Sequence, residues 1–215
     1  MFSRQQLDQL VLDVEFVLLS VVQGVALSGL GIEAIQVLRH PSPSACVFLV
    51  SGLVFVLAFW AGAMLHAVSI VRWPMDLPHY FFYFVVGLLE MITFAQMEHP
   101  RAWFGWSCVF FVLGVGLYAY DLLLIHERRK TFEGDDDTRR LYAHIVKRQR
   151  FEMRVVMPAG FLFSLSAWWM IGQRPSLTLA FAVAQLAFSI ALLATLLRSF
   201  AERIRMISAC TEPDY

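Results

Sequence analysis

Apolar runs of about twenty residues recur along this chain, separated by short turns rich in proline, histidine and arginine. A helix of that length rises about 30 Å, the thickness of a bilayer's hydrocarbon core. In lipid every backbone N–H and C=O must find its partner within the chain, so such runs fold as helices. Hydrophobic residues make up 59% and charged residues 16% of the 215 positions, beyond the roughly 45–50% apolar content of a soluble domain. The sequence predicts an all-α fold: a polytopic membrane helix bundle forming one domain over 1–215.

Six spans are expected, at about 10–38, 45–71, 77–97, 102–125, 155–172 and 175–197. Their boundaries follow from the breakers Arg39-His40-Pro41, Arg72-Trp73-Pro74, Glu98-His99-Pro100 and Gln173-Arg174-Pro175, where proline ends one helix or opens the next. Asp8, Asp13 and Glu15 in and before the first run are unlike the basic start of a cleaved signal peptide. The first run begins as an interfacial helix and still has enough apolar length, from Phe16 to Leu38, to cross.

The formal charge is zero, which gives no field to attract nucleic acid. Its distribution is uneven. With both termini and the even-numbered connections on one side, that side holds fourteen of the seventeen Lys and Arg residues; the other holds only Arg39, Arg101 and Arg174. The positive-inside rule then places both ends in the cytoplasm, in a cell membrane expected to be a bacterial inner membrane. Nine of the cations fall in 127–154, a segment of net charge +3. Gly134 and Asp135 to Asp137 suit a turn and a helix start, and Leu141, Ile145 and Val146 then alternate with Arg139, Arg140, Lys147 and Arg148. This reads as an amphipathic helix on the inner leaflet or docked against the spans, binding anionic lipid or a cytoplasmic protein partner through those four cations. The plainer reading is a solvated connector. A tail over 198–215 opens with Arg198, Arg203 and Arg205.

Ionisable groups inside apolar spans each require a partner, water or a role. Glu90 lies deepest and has no cation adjacent in sequence; Asp13 and Glu15 lie in the first span and Asp121 near the inner end of the fourth. At 100° per residue Glu15 falls on one face with Asp8, Ala26 and Glu33, with Gln23 about 60° away. In the third span His79, Tyr83, Glu90 and Thr93 share a line beside Gly87, and in the sixth Thr178, Gln185 and Ser189 align. Polar stripes on three spans suit a hydrated cation or proton pathway, with Glu90 at its centre and Glu15, Gln23, His79, Tyr83, Thr93 and Gln185 along it. The competing structural reading makes the neutral groups interhelical hydrogen bonds, and pairs Asp13, Glu15 and Asp121 with Arg4, Arg72 or the basic segment.

Other chemistries leave weaker traces. Cys46, Cys108 and Cys210 are too dispersed for a zinc site or a disulfide framework. His66, His79, His126 and His144 fall at similar depth, but without a helical pair spacing, so no metal and no cofactor is expected. No nucleophile, zinc-protease or nucleotide-binding motif is present, and an enzyme is not expected. Gly24 with Ser28, Ala58 with Gly62, and Gly105, Gly114 and Gly116 are spaced for close helix packing. The leading expectation is a small channel or transport protein acting as a homo-oligomer, since six spans enclose little alone. A membrane-anchored sensor or assembly subunit acting through the basic face is the alternative, and a haem or quinone redox protein a third.

Overall fold

A computed structural model describes residues 4–69, 77–128 and 136–211. The described chain is helical apart from short turns, in the order α1 Arg4–Arg39, α2 Pro43–Ser69, α3 Leu77–Phe94, α4 Pro100–Arg128, α5 Asp136–Phe151, a π turn Glu152–Val156, α6 Met157–Gln173, a 3-10 turn Pro175–Leu177 and α7 Thr178–Thr211. Among the described residues, five helical stretches are long and apolar enough to cross a membrane: Phe16–Arg39, Pro43–Met64, Pro100–Glu127, Tyr142–Gln173 and Pro175–Arg205. This is a multi-pass membrane protein. The segment expected as the third of six spans is shorter, with an apolar helix over Tyr80–Phe94. It ends early because Gln96, Met97 and His99 donate three residues back, a tight turn among polar side chains that stops the α-helical ladder.

The turns after α1, α3 and α6 gather at one end of the bundle, here the turn end; α5 marks the opposite, basic end. Ser42 accepts a hydrogen bond from the Ala45 N–H at 3.2 Å, capping α2 ahead of its buried face. At the turn end Phe48, Phe94, Trp103 and Phe104 are almost fully buried and pack with Val37, Ala45, Ile171 and Ala182. Phe48 lies 4.9 Å from Trp103 and 5.8 Å edge-on from Phe104, between ring centroids. Rings in such contact add about 1 kcal/mol per pair beyond the area they bury. Arg101 stacks 4.5 Å over Trp168 at the rim.

Helix α1 packs on α2 and on α3, which runs in the same sense: Val22 meets Gly87, and Met91 meets Gly29. A Cβ on Gly87 would lie 2.5 Å from Val22 Cγ1, so only glycine lets these two backbones approach. Helix α6 runs antiparallel to α4, with Gly105 under Trp168, Gly114 under Met157 and the Phe111 ring seated against Gly160. Gly105 and Gly114 thus serve the close packing their spacing suggested, whereas Gly24 and Ser28 are exposed and Gly116 meets only Phe82, at 3.8 Å.

The basic segment docks. Helix α5, the π turn and α6 form one continuous helical rod from Asp136 to Gln173. Tyr142 donates to the Ile125 carbonyl at 2.7 Å, and the rod then follows α4 along its length. The stretch expected as the fifth span therefore starts inside the polar segment, at Tyr142, instead of at Val155. Helix α7 likewise continues past Leu197 through the tail to Thr211. Its buried positions Ala182, Gln185, Ser189, Leu196, Ser199 and Arg203 fall at spacings of three, four and seven, so one stripe faces the bundle from Ala182 to Arg203.

Candidate functional site

Most of the buried polar groups among the described residues fall into three groups along the bundle axis, two of them beside cavities. Nearest the turn end is a closed set of hydrogen bonds. Trp103 Nε1 donates to Gln185 Oε1 at 2.7 Å, and Gln185 Nε2 donates to Ser107 Oγ at 3.5 Å. Ser107 in turn donates to the Trp103 carbonyl and Ser189 to the Gln185 carbonyl. These bonds tie α4 to α7, and every polar atom of the Gln185 side chain has a partner, as interhelical glue requires.

At mid-bundle Glu90 is 3% exposed, and neither carboxylate oxygen has a hydrogen-bond partner among the described residues. Gln23 reaches it across the α1–α3 contact that Gly87 allows, close enough to act on the carboxyl, although its amide closes no bond of normal geometry. Glu90 lines a cavity of about 20 Å³ with Thr93, Ser107 and the rings of Phe55, Phe94, Phe110 and Phe111. Thr93 spends its proton on the Leu89 carbonyl at 2.7 Å. Burying an ionised carboxyl at this depth costs about 3 kcal/mol on insertion scales when nothing offsets it.

A second cavity of about 120 Å³ lies toward the basic end. Its upper wall is aromatic and aliphatic, including Phe59, Tyr83, Leu192 and Leu196. Its floor is polar: Tyr118, Asp121, Gln149, Glu152 and Arg203. Gln149 Nε2 donates to Asp121 Oδ2 at 3.1 Å, and Arg148 Nε donates to Glu152 Oε1 at 2.5 Å one helical turn away. Tyr118 also donates to Glu152, and Arg203 enters the same field from α7. Two carboxylates and two guanidiniums thus balance to zero, which is how charges persist in a low-dielectric interior. Glu152 occupies the first position of the π turn, where the extra residue per turn re-aims the helix.

Phe55, Phe110 and Phe111 line both cavities. They form the partition between the polar floor and Glu90. Phe55 and Phe110 lie 6.1 Å apart and both are half-buried, whereas Phe111 is buried and held against Gly160 and Phe188.

Of the residues placed on a pathway from sequence, Glu90 and Thr93 line the mid-bundle cavity, Gln23 approaches Glu90 from α1, Tyr83 lines the neighbouring cavity, and Gln185 bonds to Ser107 of the first. The side chains of Glu15 and His79 lie outside the described residues, as do those of Arg4, His66, Arg72 and Cys210. Asp13 is exposed on α1. Asp121 does engage the basic segment, through Gln149. Arg139, Arg140 and Lys147 are exposed on α5, while Arg148 turns inward to Glu152. His126 is exposed and His144 lies 3.9 Å from Glu202; among the described residues no three His, Cys, Asp or Glu side chains converge to hold a metal.

Sequence reasoning did not single out Tyr118, Gln149, Glu152, Arg203, Trp103 or Ser107. A signal existed for three of these. Arg148, Gln149 and Glu152 share a helical face, and the stripe through Gln185 and Ser189 extrapolates to Arg203.

No family model matches the chain. No curated protein and no solved structure matches it either.

Proposed function

We propose that this chain is a small membrane transport protein that passes protons or small cations through a buried site at Glu90. The observation that carries this reading is a carboxyl, 3% exposed, that closes no hydrogen bond of normal geometry among the described residues and lies beside a small cavity. Buried polar groups in folded proteins are almost always satisfied, and an intramembrane acid without a counter-ion is most economically explained by a species that comes and goes. A second cavity with a charged floor beyond a wall of three phenylalanines supports a route from the basic end to that acid.

In this reading the chain makes six spans, the short α3 being the third, with both termini and the basic end in the cytoplasm and the cell's inner membrane as its site. Short α3 sits beside α1 and α4 and carries the functional acid. The proposed route lies within one protomer, whether or not copies associate. Exposed Arg139, Arg140 and Lys147 then bind anionic headgroups at the cytoplasmic surface.

Purified protein in liposomes tests the proposal. Wild type should dissipate an imposed ion gradient and Glu90→Gln should not, with both equally folded; equal rates in the two would remove Glu90 from the mechanism.

A further inference from the structure

Resting on the transport reading, we infer that the species bound at Glu90 is a proton, handled together with a single water molecule, and not a metal cation. The mid-bundle cavity of about 20 Å³ has room for one water. Its polar walls are three side chains: the carboxyl of Glu90, Thr93 and Ser107; the rest is the faces and edges of four phenylalanines. The backbone carbonyls of Leu89 and Trp103 nearby already accept from Thr93 and Ser107.

A metal ion cannot be held on those terms. Calcium takes roughly six to eight oxygens and magnesium about six, and a monovalent ion must likewise exchange its hydration shell for oxygens of the protein. Three side chains in a space for one water cannot replace such a shell. Phenyl rings attract a cation only through their quadrupoles, a weak substitute for lost water.

A proton asks for much less. A water in this space has Glu90, Thr93 and Ser107 as partners, within the two to four contacts that a buried water makes. Loading is a balanced transfer: hydronium gives one proton to a carboxylate oxygen, an O–H bond forms, and neutral water remains. Release reverses it, leaving the electron pair on the carboxylate. Neutralised, Glu90 matches its surroundings of rings. The partition of Phe55, Phe110 and Phe111 offers no oxygen at all, so a hydrated metal ion finds no ligand on the way in, whereas a transient file of waters suffices for a proton.

Two readouts on the full-length protein in lipid test this inference. Acid-minus-neutral infrared difference spectra should show a protonated-carboxyl stretch that is missing in Glu90→Gln and retained, shifted, in Glu90→Asp. Its titration midpoint should stay the same when the salt cation is sodium, potassium or bulky N-methylglucamine. A midpoint displaced about tenfold in proton concentration by sodium or potassium would show metal competing for the site and overturn the assignment. So would the absence of a Glu90 band in every salt. In liposomes, proton flux that depends on Glu90 and is indifferent to the salt cation is the expected result. Glu90-dependent sodium or potassium flux overturns the proton assignment and leaves transport standing. Loss of any Glu90-dependent flux overturns the transport reading, and the proton inference with it.

Discussion

The side-chain amide of Gln149 donates to the Asp121 carboxylate across 3.1 Å, where both residues are buried. This bond joins the basic helix to the end of an apolar span and completes a set in which Arg148 and Arg203 balance Asp121 and Glu152. Removing one partner from such a set leaves an uncompensated charge in a poor solvent. Asp121→Ala should therefore lower unfolding stability by about 3–5 kcal/mol, read as a fall in the thermal midpoint in detergent. Asp121→Asn, which still accepts from Gln149, should cost less. An unchanged midpoint in the alanine variant would mean that the charges are not coupled.

The Trp103–Gln185 bond is a structural one on this account. Gln185→Leu strands the indole N–H and should cost about 1–3 kcal/mol, with an altered emission spectrum from Trp103. Ion flux per folded molecule should remain that of the wild type. A flux defect in a stable Gln185→Leu protein would instead place this amide on the route.

Gly87 sets how closely α1 approaches Glu90. Gly87→Val must push Val22 aside, and overpacking of this kind costs about 1–3 kcal/mol. It should also separate Gln23 from Glu90, so flux should fall by more than the loss of folded protein explains. Reconstituted flux normalised to the folded fraction checks this.

Phe55 is one of the two half-buried rings of the partition between the cavities. Phe55→Ala should shorten the dry step to Glu90 and raise flux roughly tenfold, equivalent to about 1.4 kcal/mol off the barrier. Phe111→Ala, in contrast, should mainly destabilise, because Phe111 packs against Gly160 and Phe188. A Phe55→Ala protein that transports no faster would argue for a route that avoids this ring.

Much of the mid-bundle site was legible because helical faces can be computed from spacing: Glu90, Thr93 and Tyr83 share a line, and Gln23 lies on a neighbouring helix next to a glycine. What pairs with what across helices was not legible. Trp103 and Gln185 are 82 positions apart, and nothing local to either announces the other. Glu152 and Arg203 were hidden differently. Each sits among other charges in segments polar enough to look solvated, and only the docking of α5 and the length of α7 bring them inside. The π turn that begins at Glu152 carries no proline or glycine to mark it in advance. The sixth expected span illustrates the converse. Its apolar core was plain, but its continuation through Arg203 depended on following a buried stripe past the point where hydropathy falls.

Side-by-side reconstitution of wild type and Glu90→Gln, at matched copy number and matched thermal midpoint, tests the central claim most directly. With a pH-sensitive dye inside the liposomes and a potassium diffusion potential as the driving force, the account predicts rapid proton entry with wild type and the rate of empty liposomes with Glu90→Gln. Equal entry with both proteins, or none with either, would contradict it.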